Sequence, residues 1–364
     1  MNYLRTTVRR FSAMATTTSC SPFTRAVVSS MRKLYPEALA DKSFDNTGLL
    51  LEAPLDPSRR QKNSVLLAID LTTAVADEAI KRRDSAIVAY HPIIFRGLKS
   101  ITLEDTQQRS LLRLAQHGIS VYSPHTAVDT VPGGMADWLC DVVTGVYGEN
   151  KPSQIASCAS SNYSAPTYPR PEFAASATQT SIPHARTTIH PSPSTSIPEG
   201  FEDAGAGRLV TFNSAQPLTK LIDFIGQGVG LPGGIPIAIP QSKAVDDIHI
   251  RTVGMCPGSG SGVLMRGELP DLLFTGEMSH HEALAATERG SVVISLAHSN
   301  SERGYLHAVM RNKLLQDLSQ RWHAERETAL QGALEEDSEV YRDAEVSVSV
   351  SEADRDPYGI MVRR

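Results

Sequence analysis

The chain has 364 residues and a formal net charge of -5 at pH 7, so it carries no basic field for holding a nucleic-acid backbone. Hydrophobic residues make up 41% of it, yet no run approaches the roughly eighteen apolar residues of a membrane helix, so we expect a soluble protein. This length exceeds what one small core usually organises. It predicts two domains, or one domain divided by a long insertion.

The cysteine content and the N-terminal composition bear on the compartment. No two of the four cysteines form a CxxC pair, which indicates a reducing compartment without a disulfide framework or a thiolate metal site. The first 36 residues contain no Asp or Glu but six basic residues, which suits a mitochondrial targeting segment within an N-terminal extension at 1–21. The alternative is a basic first helix of the mature fold. We expect a cytoplasmic protein, with mitochondrial and nuclear locations as the alternatives.

Strands and helices alternate through the first half of the chain. The apolar spacing predicts strands at 64–70, 86–90 and 119–122, with helices after Thr72 or Thr73 and at 106–117. This β-α-β-α-β order predicts a parallel sheet, in which ligands bind beyond the carboxyl ends of the strands. Four polar residues fall at or just after such ends: Asp70, His91, His125 and Asp129.

Residues 152–198 are rich in Ser, Thr, Pro and Ala and show no structural period, which predicts a flexible insertion. The second half is again α/β. Its predicted strands are 208–212, 235–239, 247–253, 272–275, 291–296 and 346–350, the last an edge strand, and its predicted helices are 218–224, 282–288 and 301–318. We therefore expect a first α/β domain at 22–150, a flexible insertion at 151–200, a second α/β domain at 201–290 and a completing part at 291–364.

Three short segments could supply metal ligands. His298 ends a predicted strand and Glu302 lies in the first turn of the following helix, so both could point into one cleft. Asp129 could bridge two cations, because a carboxylate has two oxygens. His91 ends a buried strand, a rigid place for a ligand. Each segment also has an alternative interpretation. Residues 298–302 could be a capped helix start, Asp129 could only form loop hydrogen bonds, and His91 could be a hydrogen-bonded core residue.

The glycine-rich segment 254–262 resembles a phosphate-binding loop only in composition. It lacks both the GxxxxGK[ST] lysine and the GxGxxG spacing, which excludes an ATPase or dinucleotide fingerprint. The glycines predict a close backbone approach to another loop or to an anionic substrate.

Several segments in order resemble one known family. They are LADKSFDNTGLLL at 39–51, AYHPIIFRGLKSIT at 89–102, YSPHTAVDTVPGGMADWL at 122–139, GAGRLV at 205–210, TGEMSHHE at 275–282 and AHSNSERGYL at 297–306. Together they identify the chain as similar to the Nif-three-like family, of the eukaryotic, fungal type. The resemblance covers roughly residues 22–150 and 200–364.

The resemblance implies two similar, interleaved α/β domains with a metal cleft between them, assembled as dimers or hexamers. It implies one or two divalent ions, Zn, Mn or Fe, held by four matching residues: His91, Asp129, His298 and Glu302. The family's pattern has a histidine where this chain has Tyr90, so one metal position would lose an imidazole. His125 is expected to support the ligands rather than bind metal.

The implied chemistry is metal-assisted hydrolysis of a nucleotide or phosphate ester, with Glu302 and Asp129 as the catalytic residues and Lys99 and Arg303 as anion contacts. The family's link to a transcription co-activator subunit implies a rival interpretation, a non-enzymatic adaptor or transcriptional co-regulator with structural metals. A metal chaperone or store is a third. Two imidazoles and two carboxylates do not select among the three metals.

Overall fold

The computed structural model describes residues 20–56, 59, 61–146, 166–169, 171, 181–230, 233–332 and 339–361, which form a mixed α/β fold with two sheets. Residues 1–19 of the predicted N-terminal extension lie outside this range. The helices are α1 (Pro22–Leu34), α2 (Thr73–Arg82), α3 (Thr106–Gln116), α4 (Thr126–Thr130), α5 (Met135–Thr144), α6 (Leu218–Gly228), α7 (Ser261–Leu264), α8 (His280–Glu288), α9 (Arg303–Tyr305) and α10 (Arg311–Gly332). No helix in these ranges is both long and apolar enough to cross a membrane.

The strands are β1 (Gly48–Leu51), β2 (Ser64–Ala68), β3 (Ala86–Ala89), β4 (Ser120–Ser123), β5 (His184–Pro191), β6 (Gly205–Pro217), β7 (Ile237–Ala238), β8 (His249–Ser259), β9 (Leu272–Glu277), β10 (Val292–Ser295) and β11 (Ser347–Val350). The first sheet has the order β1-β4-β3-β2-β11 and the second β5-β6-β8-β9-β10-β7. Both belong to an α/β fold, as the sequence predicted.

The first sheet confirms the predicted β-α-β-α-β order. Strands β4, β3, β2 and β11 run parallel, and only β1 is antiparallel. Thr72 caps α2 by accepting a hydrogen bond from the Val75 amide at 3.3 Å. The predicted edge strand near the C-terminus is β11, which pairs with β2. Residues from the end of the chain therefore complete a sheet built near its beginning.

In the second sheet, β8, β9 and β10 run parallel at the centre, while β6 and β7 pair antiparallel to their neighbours. The carboxyl ends of β9 and β10 lie at one edge, where the chain passes into the 3-10 turn His298–Ser301. One hydrophobic cluster holds side chains of both sheets, including Val65 and Val88 of the first and Phe274 and Ile294 of the second.

The predicted flexible insertion is wrong for part of its length. His184–Pro191 is strand β5, which pairs antiparallel with β6 at the edge of the second sheet. Its inward and outward faces alternate, but few of its side chains are strongly apolar, so no hydrophobic period marks it. Residues 152–165, 170 and 172–180 of the same prediction lie outside the described range.

Two other predictions need correction. The glycine-rich segment is not a loop throughout, because β8 continues to Ser259 and only then turns into α7. The predicted helix 301–318 begins as the short α9, passes through a π-helical segment at Leu306–Met310 and continues as α10 to Gly332. Such π segments widen one helical turn and are frequent beside functional sites.

A buried guanidinium joins the two sheets. Arg208 of β6 contacts Asp137 of α5 at 3.1 Å and donates to the carbonyl oxygens of Gly205 at 2.7 Å and Thr130 at 3.3 Å. Only 3% of its side chain is exposed. Since α4 and α5 follow β4 of the first sheet and Arg208 lies in β6 of the second, this one side chain links segments from both halves.

Arg208→Ala should lower the free energy of unfolding by about 3 kcal/mol, because breaking a buried ion pair leaves its partner uncompensated. Urea denaturation followed by circular dichroism measures the loss. Arg186→Ala is the matched control, since Arg186 also contacts Asp137 but is 26% exposed and should cost less. Equal losses for the two variants would contradict this account.

Candidate metal centre

The end of β3 positions His91. The His91 amide donates to the Ile69 carbonyl oxygen at 3.0 Å, which continues the pairing of β3 with β2. Its Nδ1 lies 2.9 Å from Oδ1 of Asp70, which follows β2. A carboxylate on Nδ1 fixes the ring and its tautomer, so Nε2 is left as the ligand atom.

The second sheet supplies His298 and Glu302 from the turn after β10. His298 Nδ1 lies 2.9 Å from Glu277 Oε1 at the end of β9, the same arrangement as His91 with Asp70. The Ser301 hydroxyl donates to the His298 carbonyl oxygen at 2.7 Å and accepts from the Gly258 amide at 2.8 Å. These bonds hold the turn against β8.

The Glu302 carboxylate lies between the two imidazoles. Its Oε2 is 3.6 Å from His91 Nε2, and its Oε1 is 3.5 Å from His298 Nε2. Ligand atoms bound at about 2.1 Å in a tetrahedral site are about 3.4 Å apart. The Glu302 side chain is only 1% exposed, and its Oε2 has no hydrogen-bond partner. Two nitrogens and an unpartnered buried oxygen fit a divalent cation.

Gly258 leaves room for this cluster. Its φ is +60°, and an added Cβ would lie 2.8 Å from Glu302 Oε1 and 3.0 Å from His298 Nε2. Any larger residue would fill the space beside the ligand atoms. The close backbone approach predicted for the glycine-rich segment is therefore to the ligand cluster itself.

Backbone strain is concentrated at the same place. Among the described residues, three that are not glycine have positive φ, and two of these are His125 at 35° and Ala297 at 68°. Ala297 directly precedes His298, and the His125 ring centroid lies 5.6 Å from that of His91. Such conformations cost about 1–3 kcal/mol and persist where the surrounding structure imposes them, often at functional sites.

The two carboxylates around His91 control its charge. Burial lowers the pKa of His91, but the Glu302 charge and the Asp70 hydrogen bond outweigh it and raise the value to about 10. Burial raises the pKa of Asp70, and the contacts with His91 and Arg303 more than reverse this, so the net shift is downward. In the absence of a cation, His91 is therefore a positively charged imidazolium at neutral pH, with a proton on both ring nitrogens.

Asp129 lies beside the cluster but faces Tyr90. The Tyr90 hydroxyl is 2.8 Å and 2.9 Å from the two Asp129 oxygens. Burial raises the pKa of Asp129 well above its usual range, the Tyr90 hydrogen bond opposes this, and the Glu302 charge adds to it. His125 Nδ1 points to Asp45 at 2.6 Å. Of the four predicted ligands, the structure brings His91, His298 and Glu302 within 4.8 Å of one another.

The predicted anion contacts do not converge on the cluster. Arg303 is buried, forms an ion pair with Asp354 and donates to Ser299 Oγ at 2.7 Å, so it ties the turn to the segment after β11. Lys99 lies exposed in the loop after β3. Sequence reasoning missed Glu277, which lies two residues after the predicted strand 272–275 and within the TGEMSHHE motif. Its place just after a predicted strand could have identified it as a candidate.

Cation binding at this cluster should release a proton. A metal ligand must be a neutral imidazole, whereas His91 is protonated below about pH 10. The affinity for Zn²⁺ or Mn²⁺ should therefore fall about tenfold for each pH unit between pH 9 and pH 7. Calorimetric titration in buffers of different ionisation enthalpy measures the proton count, expected to be about one. An affinity that stays constant over this range would contradict the assignment of His91.

The sequence and the fold of this chain are similar to those of several known proteins. It is 42% identical over 285 residues to "Protein NIF3 homolog" of Schizosaccharomyces pombe, covering 78% of this chain and 86% of the relative. It is 36% identical over 297 residues to "NGG1-interacting factor 3" of Saccharomyces cerevisiae, covering 80% and 90%. A solved structure, a Bacillus cereus protein related to NIF3, shares the fold with a TM-score of 0.60 and 20% identity, covering 92% of this chain and 98% of that one. The model of the Duf34/NIF3 (NGG1p interacting factor 3) family matches residues 24–330, and the chain belongs to this family.

Proposed function

We propose that the protein binds a divalent cation at His91, His298 and Glu302 and uses it to hydrolyse a nucleotide or phosphate ester. The observation that carries the proposal is the buried Glu302 carboxylate, which has one unpartnered oxygen and lies between two oriented imidazoles. The nearest cationic group to that oxygen is His91 Nε2 at 3.6 Å, which is too far for a direct hydrogen bond. Two nitrogens and one carboxylate suit Zn, Mn or Fe.

The residues divide the work between holding the cation and handling protons. His91 and His298 present Nε2, because Asp70 and Glu277 hold their Nδ1 atoms. A bound cation would supply Lewis acidity, which polarises a phosphoryl oxygen and lowers the pKa of water. Glu302 serves as a ligand or proton acceptor, and Asp129, held by Tyr90, is the second candidate for proton transfer.

A cavity of about 870 Å³ adjoins His91 and Asp70 and offers a place for the substrate. The first residues of α2 and α3, Thr73 and Thr106, line it. Helix N-termini present free amides that favour anionic groups such as phosphate. Arg355 is the basic residue of this lining, which also includes Glu352 and Asp356.

The second candidate function is an adaptor, in which the cation is structural. The name of the Saccharomyces cerevisiae relative describes an interaction with NGG1. In this chain, the segment after β3 exposes large apolar side chains, a feature of interaction surfaces: Phe95, Leu98, Ile101 and Leu103. The same surface suits a homo-oligomer. A metal chaperone or store is the third candidate.

Turnover by the metal-loaded protein separates these functions. Protein loaded with Zn²⁺, Mn²⁺ or Fe²⁺ is incubated with a panel of nucleotides, phosphomonoesters and phosphodiesters, and Glu302→Gln serves as the matched control. We expect turnover that requires the cation and is lost in the variant. Turnover that survives in Glu302→Gln would refute the site. Retained metal without turnover favours the adaptor, and rapidly exchanging metal without turnover favours the store.

Glu277→Gln tests whether the carboxylate that holds His298 Nδ1 contributes to cation affinity. The change keeps the shape but weakens the hydrogen bond that orients His298, so cation affinity should fall about 10- to 100-fold. Because Glu277 is 53% exposed, the melting temperature of the metal-free protein should change little. Glu288→Gln, at the end of α8, is the control and should alter neither quantity. Unchanged cation affinity in Glu277→Gln would exclude this role.

A further inference from the structure

Asp129 has its own partner at the edge of the ligand cluster. The single Tyr90 hydroxyl proton is shared between both Asp129 oxygens, at 2.8 Å and 2.9 Å. A carboxylate has lone pairs on each oxygen, and here both oxygens face a hydroxyl rather than open space. A cation bridged by Asp129 would have to displace that hydroxyl.

Tyr90 is not free to move aside. Only 2% of the residue is exposed, its amide donates to the Ala68 carbonyl oxygen at 2.8 Å, and its own carbonyl oxygen accepts from Ser123 Oγ at 2.8 Å. Its ring centroid lies 4.9 Å from that of His91 and 5.4 Å from that of His125. Turning the ring would leave a buried hydroxyl without a partner and open a void among packed rings.

The ligand atoms around Asp129 are too few for a second cation. Within the described ranges of the chain, the set His91, His298 and Glu302 is the single group of three such side chains whose ligand atoms approach within 4.8 Å, and Asp129 is not part of it. His125, the nearest additional imidazole, is directed by its Nδ1 towards Asp45 at 2.6 Å. A stable divalent site usually needs at least three protein ligands.

We infer that this chain binds one divalent cation, on His91, His298 and Glu302, and that the Tyr90 hydroxyl occupies the position beside Asp129 where a second cation would bind. The inference rests on the proposed metal centre and deepens it, since it sets the stoichiometry and removes Asp129 from the ligands. A pair of cations that clamps both the attacking and the leaving oxygen is then unavailable. The chemistry is restricted to what a single cation can assist.

Metal content of the full chain tests the inference without reference to activity. The protein is stripped with a chelator, reloaded with Mn²⁺, freed of excess metal and analysed for metal per chain by mass spectrometry. We expect one equivalent in the wild type and in Asp129→Asn, which preserves the shape and the Tyr90 hydrogen bond. Glu302→Gln, the matched loss of one carboxylate, should bind at least tenfold less tightly.

Electron paramagnetic resonance of the wild type gives a second readout that needs no variant. A lone Mn²⁺ gives an uncoupled six-line signal, whereas two ions about 3.5–4 Å apart are magnetically coupled. Two equivalents with a coupled signal, or loss of metal in Asp129→Asn, would overturn the single-cation inference while leaving the metal centre intact. No bound metal in the wild type would overturn the centre itself.

Discussion

The structure depends on one buried carboxylate at the line where the two sheets meet. Glu302 comes from the turn after β10, and its Oε2 faces His91, which ends β3 in the other sheet. A buried charge is costly unless charged or hydrogen-bonded groups surround it. The carboxyl ends of β3 and β10 must therefore approach each other closely. For this reason the packing of the sheets and the assembly of the ligand cluster are a single structural requirement.

Residues near the C-terminus hold the turn that carries Glu302 in place between the two sheets. Arg303, next to Glu302, pairs with Asp354, and the Ser299 amide donates to Asp356 at 3.1 Å. Both aspartates follow β11, and Asp354 also accepts from the Ile69 amide at 2.6 Å. The charge of Arg303 thus helps to hold the turn against the segment after β11. The C-terminal segment therefore determines the geometry of a site whose ligands lie more than fifty residues before it.

The sequence predicted those parts of the molecule that local patterns encode. Apolar strands separated by amphipathic helices predicted the first sheet. The ends of predicted strands suggested His91 and His298 as ligands, and the helical turn after His298 suggested Glu302. Strand β5 was missed because an edge strand needs no continuous apolar face. The pairing of Glu277 with His298 was missed because it depends on the register between β9 and β10. The contact of Tyr90 with Asp129 joins the end of β3 to α4, 39 residues further along the chain, and no local pattern predicts it.

The segment His298–Glu302 had two interpretations in the sequence, a metal ligand pair or a capped helix start. In a capped start, side-chain oxygens accept hydrogen bonds from the first helical amides. Neither the 3-10 turn nor α9 has such a side-chain bond, and Glu302 instead turns into the cleft. Ala297 is strained and Glu302 Oε2 lacks a partner, so the metal-free arrangement is costly for the fold. A cation would offset both costs. It would bind the unpartnered oxygen of Glu302, and it would bind His298, the side chain that the strained turn presents.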